Sequence, residues 1–317
     1  MKVMNCIKEK LFFLKIMNML NKNKYIIIFI FFIFPKITFS NIIVSIRPIG
    51  FIAAAIADGI MPVEVLLSKN ASPHSYHIKP SDILKIKKSN ILIWVGPELE
   101  HFIVQASSLI SKEKQIIISQ YNEVISFLIK NNTCLNTNKK LESYNMHVWL
   151  SPDIAYVLSK IIYEKILYLI PNSKNQLDIN IKNFHNNLLK VSNLIDKNLD
   201  NIKNKKYYVF HDAYSYFEKY FNLTPSGCFT INPDASIGAY TLNIIKKKII
   251  TEKIDCIFIE PSMQSKIIIR IIKNANIPVK ILDPLGQNIS LDKNSYIKFL
   301  STISNQYIYH LSQGNNK

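Results

Sequence analysis

Apolar positions along the chain follow two patterns that take turns. Short unbroken runs at Ile42–Ile46, Val63–Leu67, Ile91–Val95 and Gln115–Ser119 predict strands buried on both faces. Between them, apolar residues at helical spacing predict helices over Phe51–Ile60, after the turn signal Pro48, and over Ile83–Lys88, capped by Ser81 or Asp82. Gly96-Pro97 ends the third run, and Pro97 is placed to start a helix from Glu98. Ser151-Pro152-Asp153 opens another helix that stops at Pro171. Strand and helix in alternation predict a parallel sheet with helices on both faces.

The most periodic stretch follows. Leu177, Ile181, Phe184, Leu188, Val191, Ile195, Leu199 and Ile202 recur at steps of three or four. They define one apolar stripe on a helix of about thirty residues, roughly 45 Å long. No Gly or Pro interrupts it between Lys174 and Lys206. Heptad charge pairing is poor, so the stripe predicts a helix laid against two domains rather than a coiled coil. Alternation then resumes, with strands at Tyr207–Phe210, Asp255–Ile259 and Val279–Leu282 and helices at Tyr214–Phe221 and from Ser295 to His310. The predicted fold is α/β, with two doubly wound parallel-sheet lobes joined by one long rigid helix. The predicted boundaries are 41–173 for the first lobe, 174–204 for the helix and 205–317 for the second lobe.

The first forty residues break this pattern. Lys22 and Lys24 precede an apolar run, Tyr25–Phe34, and Thr38-Phe39-Ser40 follows. A basic head, an apolar stretch of about ten residues and small residues at −3 and −1 predict a secretory signal peptide over 1–40, cleaved after Ser40. The run is short for a membrane span, which needs about twenty residues. Met17 or Met19 also serves as a start for such a signal.

Charge changes the picture little. The formal net charge is +17, of which the seven Lys and one Glu of the leader supply six, leaving +11. The lysines are scattered, without an Arg-rich stripe or interleaved aromatics, so a solvated basic surface is expected and no nucleic-acid partner. The seven glycines include no GxGxxG or GxxxxGK[ST] motif, which argues against nucleotide chemistry. Of four cysteines, Cys6 falls in the leader. Cys134, Cys228 and Cys256 form no CxxC pair; an oxidising compartment permits one disulfide and leaves one thiol free.

The candidate chemistry lies in histidines. In doubly wound sheets, ligands collect beyond the carboxyl ends of strands. His74 follows the second strand, His147 precedes a helix, and His211 follows the strand Tyr207–Phe210. Asp283 follows its own strand and offers an oxygen. Imidazoles in this number suit zinc. His77 sits three residues beyond His74, near the mouth of such a site, whereas His101, His185 and His310 are expected on solvated surface. There is no HExxH, so a secreted zinc hydrolase is the weaker alternative.

Several segments carry a resemblance: RPIGFIAAAIADGI, ASPHSYHIKPSD, ILIWVGPELE, NMHVWLSPDIA, VFHDAYSYFEKYFNL, FTINPDASIGA, IFIEPSMQ, LDPLGQNI and FLSTISNQY. In this order, over nearly all of the chain past the leader, they closely resemble the ZnuA family, the periplasmic zinc-binding components of bacterial ABC importers. The resemblance implies two lobes bridged by a long helix and one Zn2+ between them, held by His74, His147 and His211. It places the family's DPLG aspartate at Asp283. It implies a non-enzymatic, monomeric receptor that docks on a membrane permease. Manganese- or iron-binding relatives are the alternative, and the manganese-binding ones place a carboxylate where this chain has His211. Glu260, in IFIEP, is a candidate to orient a ligand imidazole.

Three departures from the family stand out. Pro73 occupies a position that is often acidic, leaving the fourth ligand to Asp283, water or His77. The loop 131–145 lacks the family's frequent histidines. A disulfide of close relatives would pair Cys256 with the position of His310, so that bridge is expected to be absent.

Overall fold

The computed structural model describes residues 40–312 apart from 70, 132–133, 135–142, 232–238, 253 and 262–276. The leader, most of the Asn-rich loop and parts of the FTINPDASIGA and IFIEPSMQ segments lie outside the described residues. Among the described residues, no helix is long and apolar enough to cross a membrane.

Two four-stranded parallel sheets organise the chain. The first contains β1 (Ile42–Val44), β2 (Val63–Val65), β3 (Ile91–Trp94) and β4 (Gln115–Ile117), in the order β2-β1-β3-β4. Its helices are α1 (Arg47–Ile56), α2 (Pro80–Lys88), α3 (His101–Ser107) and the short α4 (Asn122–Ile125). Then come α5 (Pro152–Leu169) and the long α6 (Lys174–Leu199). The second sheet contains β5 (Tyr207–His211), β6 (Gly227–Thr230), β7 (Cys256–Ile259) and β8 (Val279–Ile281), in the order β6-β5-β7-β8. With it go α7 (Ser215–Tyr220), α8 (Ala239–Thr251) and the last helix, α9 (Ser295–Ser312). The central strands β1 and β3 are buried throughout, as their continuous apolar runs require.

Several local expectations shift. Helix α1 begins at Arg47, four residues before Phe51, because Pro48 sits in its first turn instead of in a preceding turn. Helix α3 begins at His101, not Glu98. The buried Glu100 carboxylate folds back to accept the backbone N–H groups of Val95 (2.6 Å) and Gly96 (3.2 Å), which holds residue 100 out of helical geometry. Helix α5 starts as expected, with the Ser151 hydroxyl accepting from the Ile154 amide at 3.2 Å. Strand β6 and helix α8 carry no clear periodicity and were not anticipated. His185 is half-buried on α6. Its Nε2 lies 2.8 Å from the Ser159 hydroxyl and its ring 4.0 Å from that of Tyr156, and burial, then Lys160, pushes its pKa down to about 4. His310 is also half-buried, facing Phe258, so neither histidine is the solvated residue expected.

The stripe on α6 is buried at Leu177, Phe184, Leu188, Val191, Ile195 and Leu199. These residues belong to one continuous apolar core with Phe51 and Ile154 of the first half and Tyr207 and Phe299 of the second. Further bonds join the halves. Trp149 Nε1 donates to the Pro284 carbonyl at 2.8 Å, and Tyr296 Oη donates to the Trp149 carbonyl at 2.8 Å. The Arg47 guanidinium donates to the carbonyls of Gly286 and Ile289. Gly286 has φ +61°, and a Cβ there would come within 2.8 Å of Phe51, so only glycine suits this close approach.

A disulfide joins Cys134, in the loop before α5, to Cys228 on β6, and Cys256 remains a buried free thiol. Burial, then Asp255, raises the Cys256 thiol to about 12, which keeps it protonated and unreactive. The disulfide closes a span of 94 residues and ties the first half of the chain to the edge strand of the second sheet. Loops of this length confer on the order of 4 kcal/mol by restricting the unfolded chain. Replacing both cysteines (Cys134→Ser, Cys228→Ser) is therefore expected to lower unfolding free energy by about 2–4 kcal/mol in denaturant titrations. An unchanged midpoint would mean that the bridge does not constrain the protein in solution.

Candidate metal centre

Three strand-end and loop segments converge where the two sheets meet. His74 sits between β2 and α2, its backbone amide donating to the Ser72 hydroxyl at 3.2 Å. His147 precedes a 3-10 turn, Val148–Leu150, that leads into α5. His211 is the last residue of β5, which runs one residue past the predicted Tyr207–Phe210. Parallel strands put their carboxyl ends at one edge of the sheet, which is why residues distant in sequence meet there.

One nitrogen from each ring lies within 4.8 Å of the others. The Nε2 atoms of His74 and His147 are 3.3 Å apart, and the His147 and His211 ring centroids are 4.7 Å apart. His147 and His211 are buried, while His74 is half-buried. His211 Nδ1 donates to the Glu260 carboxylate, which aims Nε2 inward, and that Nε2 is buried without a hydrogen-bond partner among the described residues. Glu260 is thus placed to hold the imidazole in one orientation, as its position at the end of β7 suggested. Burial first, then His211 and His74, pushes the His147 pKa well below its ordinary 6.5. A charged imidazole there would lose its hydration and face two neighbouring rings.

Asp283 does not join the group. Its oxygens accept the backbone N–H groups of Leu285 at 3.0 Å and Gln287 at 2.7 Å, so its carboxylate braces the DPLG turn. Burial raises its pKa, and those amides work in the opposite direction. His77 is exposed and outside the group. His101 is exposed as well, but it lines a cleft of about 190 Å³ whose walls include His74 and His147. Pro73 is buried and carries no donor side chain.

Sequence reasoning missed two features around the site. The disulfide pairs a loop cysteine with a strand that lacked a clear pattern. Asn145, two residues before His147, is buried and touches both halves of the site. Its only signal was its place inside the NMHVWLSP segment.

The chain is similar along most of its length to known proteins. Residues 42–307 match the family described as "Zinc-uptake complex component A periplasmic", ZnuA. The high-affinity zinc uptake system protein ZnuA of Yersinia pestis is 40% identical over 285 residues, covering 84% of this chain and 90% of that protein. The protein of the same name from Buchnera aphidicola subsp. Schizaphis graminum is 35% identical, over 92% and 97% respectively. A crystal structure of ZnuA superposes with TM-score 0.72 at 20% identity, over 86% of this chain and 99% of that one, which shows the shared fold. With the family's span matched from β1 into α9 and its relatives covered almost end to end, this chain belongs to the ZnuA family.

Proposed function

We propose that the chain is a periplasmic receptor that binds one Zn2+ through His74, His147 and His211 and delivers it to the permease of an ABC importer. The observation that carries this reading is the convergence of three imidazole nitrogens within 4.8 Å, two of the rings buried. Neutral imidazoles suit a borderline-soft dication, and zinc prefers four donors in a tetrahedral set. The three rings supply three. Water supplies the fourth, and the Asp283 carboxylate stays on its loop amides. The two sheets act as lobes 41–173 and 205–317, with 174–204 as the bridge between them. The chain works as a monomeric carrier and not as an enzyme, after removal of the 1–40 leader.

Zinc titration of the purified protein is expected to give one tight site per chain. His74→Ala, His147→Ala and His211→Ala each remove one of three strong donors. Structural zinc sites are worth on the order of 10–16 kcal/mol, so a third of that is about 3 kcal/mol or more, roughly a hundredfold in affinity. His185→Ala, distant from the rings, is expected to leave affinity unchanged. Parental affinity in His211→Ala, or a second equally tight ion, would sink the assignment.

The pH response follows from His147. Zinc and protons compete for the same lone pairs, so affinity falls as pH falls wherever the apo ligands take up protons. Burial and the two neighbouring rings disfavour a charged His147, so zinc displaces little or no proton from it in mildly acidic solution. Fewer than three protons are then released for each zinc bound by the three rings. Calorimetry in buffers of different ionisation enthalpy measures this number. A value close to three in mildly acidic buffer would show that His147 is charged in the apo protein.

A further inference from the structure

Asn145 is placed to set the chemistry of the centre without touching the ion. It is buried at 2% exposure. The His147 backbone amide donates to Asn145 Oδ1 at 2.9 Å, and Asn145 Nδ2 donates to the Asp212 carbonyl at 2.7 Å. A backbone N–H only donates and a carbonyl only accepts, so these two contacts settle which end of the side chain is oxygen. The same Oδ1 lies 2.8 Å from His147 Nδ1. Facing an oxygen that cannot donate, Nδ1 must carry the proton. Nε2, 3.3 Å from His74 Nε2, therefore keeps its lone pair.

The other end of Asn145 reaches the second sheet. Asp212 directly follows His211, so Nδ2 grips the chain beside another member of the triad. Asn145's own backbone is held as well: its N–H donates to the Ile129 carbonyl at 2.8 Å, and its carbonyl accepts from Tyr216 Oη on α7 at 2.6 Å.

We propose that Asn145 is a positioning residue that couples the ligating tautomer of His147 to the spacing between His147 and His211, so that the site is set before an ion arrives. This rests on the zinc reading of the triad. It requires an amide. A carboxylate would keep the acceptor for Nδ1–H but turn an oxygen toward the Asp212 carbonyl, setting two acceptors against each other in a buried place.

The test compares the parent with Asn145→Ala and Asn145→Asp by zinc competition titration and by the visible spectrum of the Co2+-loaded proteins, with thermal melting as a folding control. Removing an outer partner of a ligating histidine commonly costs tenfold to a hundredfold in metal affinity. Both variants are expected to lose that much and to show an altered Co2+ spectrum. If Asn145→Ala fails to fold, the nearly isosteric Asn145→Asp carries the test. A variant that melts earlier yet keeps parental affinity and spectrum would reduce Asn145 to a structural residue and overturn the proposal. So would an Asn145→Asp protein that binds zinc as tightly as the parent. A parent that binds no zinc would remove the zinc reading itself, whereas a zinc-binding parent with unaffected variants removes this inference alone.

Discussion

The centre depends on one constraint: three imidazoles must come within coordination distance of one another although His147 and His211 are buried. Protonating His147 would put a charge beside two other rings, in a place where burial has already removed its hydration. His147 shows the consequence, with its pKa held well down. Neutrality alone does not make a ligand, because a neutral imidazole has two tautomers. Glu260 on His211 and Asn145 on His147 each accept an Nδ1 proton and leave Nε2 available. One acceptor is a carboxylate and the other an amide, so orientation is secured on both rings while only one negative charge is added.

That arrangement spans the two halves of the chain and depends on their fixed relation. The halves share an apolar core built along α6. Trp149 and Arg47 reach from the first half to the turn after β8, and the Cys134–Cys228 bridge reaches from the loop before α5 to β6. Separating the sheets would expose that core and break buried hydrogen bonds together. The loop carrying the half-buried His74 can move at much lower cost, because exchange there disturbs fewer packed groups. Capture and release of an ion are therefore better served by loop motion than by opening of the lobes.

Much of this was legible in the sequence, and the exceptions have physical causes. Parallel strands such as Ile91–Trp94 are buried on both faces, so their unbroken apolar runs identify them directly. The stripe from Leu177 to Leu199 gave its helix because one face alone meets the core. The three histidines drew notice because each lies in a loop or at a strand end where a parallel sheet gathers its ligands, and the structure brings their rings together. Strand β6 was hidden because it is four residues long and starts at a glycine. With it went any basis for pairing Cys228 with Cys134. Asp283 follows its strand as a ligand would, but the amides of Leu285 and Gln287 engage its oxygens, which strand-end position alone does not reveal. His185 was misjudged because a position beside an apolar stripe looks solvated until α5 is packed over it, bringing Ser159 and Tyr156 against the ring.

A dication captured by a chain whose formal net charge is +11 without its leader poses an electrostatic question that the centre answers locally. Charges on exposed lysines are screened over about 8 Å at physiological ionic strength, so the basic surface contributes little at a partly enclosed site. Within the site burial holds His147 neutral, and Glu260 acts through His211. Attraction at long range is weak, and affinity must come from donors already oriented at contact distance. Preorganisation then carries the weight that acidic ligands would carry elsewhere. Small errors in ring tautomer or spacing become costly, which is why buried polar contacts such as those of Asn145 matter more here than they would beside a carboxylate cage.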